Sequence, residues 1–379
     1  MKFLYKLLLI SFIFAGCNTK KSETTNNKLP KETIEIKYAK GFDIQYFNNT
    51  KKLIVKSPYQ NAKVQFEYVL AHNKNTINSK YPKGTLITTP IEKIVVTSTT
   101  HIPMLELLGV EKTLVGFPHT KYISSPRTRQ LIDSNKVKEI GMKASLNTEI
   151  LIDIQPDVVI GFSMSKTNKS LQLIEKSGIP VILNGDWLEE TPLGRAEWIK
   201  FFGALYNREK EADSIFTIIE NNYNNAKALA LKATNRPTIL SGAVMSKDIW
   251  NLPAGESFVA QFLIDANTNY LWKNTKGKGS LSLSFESVFD KGKNADIWIA
   301  PGYFTKKSQM IGNNKLYKKF TSFKNDKLYT FGTKKGKTGG VIYFELGPTR
   351  PDLVLKDIIN IAHPSLFKEY TPTFFDKMN

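Results

Sequence analysis

The spacing of apolar residues divides the chain into regions of different secondary structure. Between residues 33 and 88, apolar and polar residues alternate, as they do over residues 34–38 and 63–69, and clusters of Asn, Lys and Gly separate these runs. Alternation with a period of two is typical of strands that bury one face. We therefore predict a small N-terminal β extension of short antiparallel strands over residues 33–88.

From residue 90 onwards the pattern changes to strands that alternate with helices. Apolar residues 94–96 predict a strand, and residues 103–108 predict the helix that follows it. Further strands are predicted at residues 113–116, 158–160 and 180–183. Because this alternation is typical of a mainly parallel sheet covered by helices, residues 89–190 are predicted to form an N-terminal lobe.

Residues 191–235 carry apolar residues at helical spacing. Thr191 and Pro192 have the order of a helix cap followed by a proline in the first turn, and the helix is expected to restart near Asn207. A helix of this length exceeds what a crossover between neighbouring strands needs. We therefore predict a long helix that links two lobes.

After Pro237 the alternation of strands and helices resumes. Strands are predicted at residues 238–240, 297–299 and 328–330, and a last helix from about Pro351 to Ala362. These elements define a C-terminal lobe over residues 236–379. The predicted fold is α/β, with two βα lobes built on mainly parallel central sheets, joined by the helical linker and preceded by the β extension.

The two predicted lobes share a local pattern at residues 147–160 and 284–299. In each copy a helix-capping residue stands two positions before a glutamate, Glu149 or Glu286, and an aspartate then opens a buried strand. A glutamate in the first helical turn can simply complement the helix dipole. The alternative is that each lobe presents an equivalent functional carboxylate.

The first 32 residues have the features of an export signal. Lys2 and Lys6 precede an apolar run that is shorter than the roughly 20 residues needed to span a bilayer, and the only cysteine, Cys17, follows it. Residues 14–17 resemble a bacterial lipobox, with Phe14 where leucine is usual. This resemblance implies that residues 1–16 are a signal peptide and that Cys17 is acylated.

Residues 17–32 are polar and are predicted to form a flexible tether. No other stretch reaches 18 uninterrupted apolar residues. We therefore expect an exported protein that is held to a bacterial membrane by its N-terminal lipid and faces the periplasm or the cell exterior.

Composition narrows the possible partners. The chain has 379 residues and a formal net charge of +19, but only six of its 53 basic residues are arginine. Recognition of nucleic acids favours the bidentate guanidinium, so we interpret the charge as a lysine bias and expect no nucleic-acid partner. The apolar fraction of 41% is sufficient for a core in each of two domains.

The lipobox, the two lobes, the linking helix and the repeated glutamate together resemble one family. This family comprises the substrate-binding lipoproteins of ABC importers of the cobalamin and iron–siderophore class, which are periplasmic binding proteins with a helical inter-lobe linker. The resemblance covers about residues 90–365, so the β extension lies outside it. It implies that the partners are an ABC permease and its ATPase, that Glu149 and Glu286 pair with arginines of the permease, and that the protein is a monomer.

The resemblance also places a ligand between the lobes, on loops at the carboxyl ends of the strands. Aromatic side chains there suit a bulky, partly planar ligand, although each of them could equally belong to the core. Arg350 could clamp an anionic chelate or serve structurally at a helix start. The predicted ligand-binding residues are Thr100, His101, His119, Tyr122, Trp187, Trp250, Tyr303, Tyr343 and Arg350.

Other chemistries are not supported by the sequence. His101 and His119 lie on separate loops without a third histidine nearby, so we expect no metal ion bound directly by the protein. We find no nucleophile elbow, phosphate-binding loop or metalloprotease helix, and therefore predict that the protein is not an enzyme.

The predicted function is the capture of a ferric siderophore or related metal chelate and its delivery to a membrane permease, without a cofactor of the protein's own. Cobalamin and haem are alternatives within the family. A lipid-anchored surface adhesion or structural protein, with the β extension as its functional part, is the alternative from another class.

Overall fold

A computed structural model of the protein describes residues 33–72, 84–142, 145–164, 168–246 and 248–379. The predicted signal peptide, Cys17 and the tether lie outside these residues. No helix of the described part of the chain is long and apolar enough to cross a membrane.

The N-terminal extension is a four-stranded sheet in the order β1-β2-β3-β4. Its strands are β1 (Phe42–Tyr46), β2 (Thr50–Val55), β3 (Phe66–Ala71) and β4 (Thr85–Thr88). The first three strands pair antiparallel as predicted, but β4 runs parallel to β3. The all-antiparallel prediction is therefore wrong for β4, because the connection before it has the dozen residues that a parallel crossover requires.

The segment before β1 is not a strand, although its alternation predicted one. The backbone N–H groups of Lys37, Tyr38 and Ala39 all donate to the carboxylate of Glu197, at 2.6–2.8 Å. A carboxylate that accepts successive backbone donors replaces the strand partner that the segment would otherwise need.

The N-terminal lobe contains a five-stranded parallel sheet in the order β11-β10-β5-β6-β7. Its elements, with a small β8-β9 pair, are β5 (Ile94–Val96), α1 (His101–Leu107), β6 (Leu114–Phe117), α2 (Pro126–Asp133), β7 (Lys138–Glu139), β8 (Gly141–Met142), β9 (Ser145–Leu146), α3 (Thr148–Ile154), β10 (Val158–Gly161), α4 (Lys169–Lys176) and β11 (Val181–Leu183). The central strand β5 is fully buried, as expected for a parallel sheet covered on both faces.

The predicted linking helix is divided into three helices, α5 (Pro192–Glu197), α6 (Ile199–Tyr206) and α7 (Glu209–Ala230). The first break is at Trp198, where hydrogen bonds to the third residue back replace the α-helical pattern. The second break is at Asn207, which ends α6 in the left-handed conformation. This is the position at which the sequence predicts that the helix restarts. The sequence therefore predicts the second break but not the first, at Trp198.

The C-terminal lobe contains a second five-stranded sheet, in the order β15-β12-β17-β18-β19, in which only β19 is antiparallel. A three-stranded antiparallel sheet, β13-β14-β16, lies beside it. The elements are β12 (Thr238–Ser241), β13 (Ala243–Ser246), β14 (Ile249–Pro253), α8 (Phe258–Asp265), β15 (Asn269–Tyr270), β16 (Ser280–Ser284), α9 (Phe285–Gly292), β17 (Ile297–Ile299), α10 (Lys307–Asn313), α11 (Thr321–Lys324), β18 (Leu328–Thr330), α12 (Ile342–Leu346), α13 (Pro351–Ala362) and β19 (Asp376–Lys377).

The repeated sequence pattern corresponds to a structural repeat. In both lobes the strand that follows the glutamate-bearing helix pairs with the first strand of the lobe, β10 with β5 and β17 with β12. The aspartate before it caps that first strand: Asp157 accepts the N–H groups of Glu92 and Lys93, and Asp296 accepts that of Thr238. The two lobes are therefore equivalent at this position.

The extension and the helical linker share the main hydrophobic core with both lobes. The ring of Phe42 in β1 lies 4.6 Å from that of Trp198, and helix α6 is buried throughout. Helix α6 packs on α1 of the N-terminal lobe, while α7 packs on α13 of the C-terminal lobe. The linker thus joins the lobes through contacts with each of them.

Candidate functional site

A cavity of about 470 Å³ lies between the lobes, where loops at the carboxyl ends of several strands meet. The N-terminal lobe contributes the loops after β5, β6, β10 and β11, and the C-terminal lobe contributes the loop after β17 and the segment that enters α12. The lining residues are Thr97, Ser98, Thr99, Phe117, Pro118, His119, Tyr122, Phe162, Asp186, Trp187, Tyr303, Gly339, Gly340, Val341 and Phe344.

Aromatic side chains from both lobes form the walls of this cavity. Four of them are strongly exposed: Tyr122 by 52%, Phe162 by 39%, Tyr303 by 64% and Phe344 by 41%. The Phe162 and Trp187 rings meet edge to face at 6.0 Å, and the Tyr303 and Phe344 rings lie 5.9 Å apart. Exposed aromatic surface gathered in one cleft is typical of a surface that a ligand covers.

Asp186 is a buried carboxylate in the wall of the cavity. It accepts the Thr100 hydroxyl at 2.7 Å, and its backbone N–H donates to the side chain of Asn184. The predicted residue Thr100 therefore orients Asp186 and also lines a neighbouring cavity.

His101 lies in the core rather than in the cleft. Its ring is fully buried, 5.4 Å from the ring of Phe202, and its Nε2 atom is 3.9 Å from a carboxylate oxygen of Asp186. Burial lowers the pKa of the imidazole, so it is neutral at physiological pH. The prediction that His101 contacts a ligand is corrected, because the residue starts helix α1 and faces α6.

A second cavity of about 510 Å³ adjoins the first and shares Phe344 with it. The predicted residue Tyr343 lines this cavity, and its ring stacks on that of Phe331 at 5.0 Å with an interplanar angle of 9°. Burial raises the pKa of the Tyr343 hydroxyl to about 12, so the tyrosine is neutral at physiological pH.

Arg195 lines the second cavity and was not predicted. Its guanidinium donates to the backbone carbonyls of Trp187, at 2.5 Å, and Glu189, at 3.3 Å, and lies over the Phe258 ring with its central carbon 3.6 Å from the ring centroid. Its position within the pattern of the linking helix carried no signal of a ligand site. Only the fold brings helix α5 to the cleft.

Two further predicted ligand residues do not line these cavities. Trp250 is completely buried and stacks on Trp298 at 5.1 Å, because its strand β14 turns this side chain into the C-terminal core. Arg350 forms a bidentate ion pair with Asp352, with both hydrogen bonds at 2.8 Å, in the first turn of α13. The structural interpretation of both residues replaces the ligand-binding one.

The lobes also touch directly beside the cleft. The carboxylate of Glu345 in α12 accepts the backbone N–H groups of Ser124, at 2.6 Å, and Ser125, at 2.9 Å. Burial raises the pKa of Glu345 to about 7, and nearby Glu106 acts in the same direction, whereas the bonds from the two serines oppose the shift. This inter-lobe contact is therefore sensitive to pH near neutrality.

Glu149 and Glu286 occupy equivalent exposed positions, in the first turns of α3 and α9. Asn147 caps the first helix and Ser284 caps the second, as the sequence pattern predicts. In the part of the chain that the structure describes, no group of three or more His, Cys, Asp or Glu side chains could hold a metal ion.

A family model described as "Periplasmic binding protein" matches residues 94–334. Because this match covers more than half of the chain, the chain belongs to the periplasmic binding protein family. This family consists of solute-binding proteins rather than enzymes, and it implies an ABC permease with its ATPase and a small-molecule ligand as partners. The match decides between the two predicted function classes in favour of a solute-binding protein.

Relatives and solved structures agree with this assignment. An uncharacterized lipoprotein of Methanocaldococcus jannaschii is 25% identical over 98% of this chain and 94% of its own length. A possible iron-binding (periplasmic solute-binding) protein of Staphylococcus epidermidis has the same fold, with a TM-score of 0.56 and 20% identity over 73% of this chain and 100% of that chain. A periplasmic heme-binding protein of Pseudomonas aeruginosa gives a TM-score of 0.58 and 16% identity over 76% and 98%.

These matches confirm the predicted two-lobed α/β fold. The family and the lipoprotein relatives also indicate an exported protein that acts outside the cytoplasm. The β extension precedes the matched residues.

Proposed function

We propose that this protein captures a metal chelate of the ferric siderophore or haem type between its lobes and delivers it to an ABC permease. The observation that carries the proposal is the inter-lobe cavity of about 470 Å³ whose aromatic walls come from both lobes. Rigid aromatic rings give a large contact area to a partly planar ligand at low entropic cost. The Staphylococcus epidermidis neighbour is described as a possible iron-binding protein, which supports this ligand class.

A specific observation favours haem as a second candidate within the class. His119, Tyr122 and Tyr303 all line the first cavity, and the His119 and Tyr122 rings lie 5.5 Å apart. Histidine and tyrosine are both residue types that ligate haem iron. The neighbour from Pseudomonas aeruginosa is described as heme-binding, which agrees with this candidate.

The carrier itself catalyses no reaction in this proposal. The cavity supplies aromatic surface, the Thr97–Thr99 segment supplies hydroxyl groups, and Asp186 supplies a buried acceptor.

Lipid attachment at Cys17 would keep the carrier at the membrane near its permease. A Cys17→Ser variant is then expected to leave the membrane fraction when cells are fractionated. Continued membrane association of this variant would contradict the anchor.

The proposal is tested by titrating the protein with a panel of probes and following tryptophan fluorescence. The panel contains ferrichrome, ferric citrate, haemin and cyanocobalamin, which represent the hydroxamate, carboxylate, haem and cobalamin classes. Saturable quenching by ferrichrome, ferric citrate or haemin supports the proposal, because Trp187 lies in the cavity wall. Binding of cyanocobalamin alone would contradict the proposed ligand class, and silence from all four probes would contradict the proposed function.

A further inference from the structure

A third cavity of about 520 Å³ lies between the N-terminal extension and both lobes. We refer to it as the extension compartment. Its walls come from three parts of the chain: the extension up to Ala62, the segment from the loop after β11 into α5, and the C-terminal lobe. Its lining residues are Lys40, Gly41, Ser57, Tyr59, Gln60, Asn61, Ala62, Trp187, Leu188, Glu189, Glu190, Arg195, Phe258, Lys278 and Gly279.

The extension is held firmly against the cleft. The carboxylate of Glu189, close to the cleft residue Trp187, accepts the backbone N–H groups of Lys40 and Gly41 at 2.7–3.0 Å. A Cβ atom placed on Gly185 would lie only 2.3 Å from the carbonyl oxygen of Ser57, so the extension approaches this loop as closely as a glycine allows. The extension is therefore a fixed wall of the cavity.

The extension compartment adjoins the ligand cleft and shares wall residues with it. Trp187 lines both the first cavity and the compartment. Arg195, Phe258 and Lys278 line both the second cavity and the compartment. A bound molecule with an aromatic or metal-containing centre and a polar arm would therefore find adjoining space for both parts.

The side chains around the compartment carry a small excess of positive charge. Lys40, Arg195 and Lys278 line it together with Glu189 and Glu190. Both oxygens of Glu189 already accept donors, from Lys40, Gly41 and the Trp198 ring. Glu190 lies between two cations: it pairs with Lys278 across the cleft and with Lys40 of the extension at 3.6 Å.

Arg195 stands where the second cavity and the compartment meet. The hydrogen bonds that the structure gives for its guanidinium use Nε and Nη2, and both acceptors are backbone carbonyls rather than carboxylates. A partly buried guanidinium with one face on an aromatic ring is a preferred binding partner for a carboxylate.

We propose that the extension compartment is part of the solute site and receives a carboxylate-bearing arm of the bound metal chelate, with Arg195 as its anchor. This inference rests on the proposed function and adds to it the chemical class of the ligand's arm. It also assigns a role to the β extension, which lies before the residues that match the family.

The test uses two variants that alter the compartment and one that does not. Ala62→Trp fills the compartment from the extension side, and Arg195→Gln removes the anchoring cation. Gln65→Trp adds the same side chain at an exposed position of the extension outside the compartment. Dissociation constants for haemin and ferric citrate, which carry carboxylates, and for ferrichrome, which does not, are measured by calorimetry. Circular dichroism verifies folding of each variant.

The expected result is that Ala62→Trp and Arg195→Gln each weaken binding of the carboxylate-bearing probe by about tenfold or more, while Gln65→Trp binds like the wild type. Unchanged binding of such a probe in both variants would overturn this inference and leave the proposed function intact. Binding of ferrichrome alone would also overturn it. If the wild type binds none of the probes, the proposed function fails and this inference fails with it.

Discussion

Trp187 and Trp250 both lie in segments that the sequence assigns to the cleft, yet their surroundings differ. Trp187 lines the inter-lobe cavity and meets the exposed ring of Phe162. Trp250 is fully buried, with its Nε1–H donating to the carbonyl of Ser241 at 2.9 Å and its ring stacked on Trp298. The first side chain is therefore placed for ligand contact and the second for stability.

Replacing each of these tryptophans by alanine separates binding from stability. Trp187→Ala is expected to weaken binding of the probe that the panel identifies by about tenfold, with a small effect on unfolding. Trp250→Ala is expected to lower the free energy of unfolding by about 3–5 kcal/mol, because it leaves a cavity in the core. Calorimetric titration and urea denaturation measure the two effects. Equal losses of stability in both variants would contradict this assignment.

Glu345 makes stability depend on pH near neutrality. Its pKa of about 7 lies above the ordinary carboxyl value of 4.5, so the folded protein holds this proton more tightly than the unfolded chain does. The resulting stabilisation is complete below the ordinary pKa and is lost as the pH rises through about 7. Across this interval the loss can reach ~3 kcal/mol, since each pKa unit corresponds to about 1.4 kcal/mol.

A Glu345→Gln variant isolates this effect, because glutamine keeps the size of the side chain and does not titrate. Urea denaturation of both proteins between pH 5 and pH 8 should show the wild type losing stability relative to the variant as the pH rises. Parallel curves for the two proteins would show that Glu345 titrates with an ordinary pKa.

At the scale of elements, the structural repeat gives helices α3 and α9 equivalent positions in their lobes. Each helix carries an exposed glutamate in its capped first turn, and each is followed by the strand that pairs with the first strand of the lobe. A two-lobed carrier that docks on a transporter with two similar halves needs one contact from each lobe. We propose this docking role for Glu149 and Glu286.

Reversing both charges tests the docking role. A Glu149→Lys, Glu286→Lys protein is expected to bind its probe normally in calorimetry but to lose uptake of that probe in cells. Glu175→Lys with Glu369→Lys is the matched control, since it makes the same change in net charge at exposed positions. Normal uptake by the Glu149, Glu286 variant, or equal losses in both double variants, would remove the docking role.

At the scale of the whole molecule, several contacts restrict the movement of one lobe against the other. Besides the Glu345 contact, Thr338 donates to the carbonyl of Lys121 at 2.7 Å, and Lys337 pairs with Asp133 at 3.4 Å. The helical linker packs on both lobes. The cleft is therefore largely formed before a ligand arrives.

Small-angle X-ray scattering measures this property directly. Saturation with the bound probe is expected to change the radius of gyration by less than ~1 Å, because helical linkers and inter-lobe contacts leave little freedom for hinge closure. The unliganded protein at the same concentration is the reference. A decrease of several ångströms would show a large closure and would contradict a preformed cleft.

The sequence by itself determined the alternation of strands and helices in the two lobes and the positions of many loops. Apolar runs and helical spacing of apolar residues are local properties of the chain, so they predicted strand β17 and helix α13. The end of α6 at Asn207 was also expected from the sequence. The repeated glutamate pattern was local as well, and the structure places its two copies equivalently.

Only the tertiary structure decided which side chains face the cleft. A strand or loop residue is buried or exposed according to what packs on it, and here those neighbours are far along the chain: Glu197 holds residues 37–39, and Glu345 holds Ser124 and Ser125. Periodicity could not place Arg195 at the cleft, because that position depends on how helix α5 packs. Strand β14 buries Trp250 and Leu252 on one face, but only the tertiary structure shows that this face meets the C-terminal core rather than the cleft. The same long-range contacts bring the extension to the cleft and create its compartment.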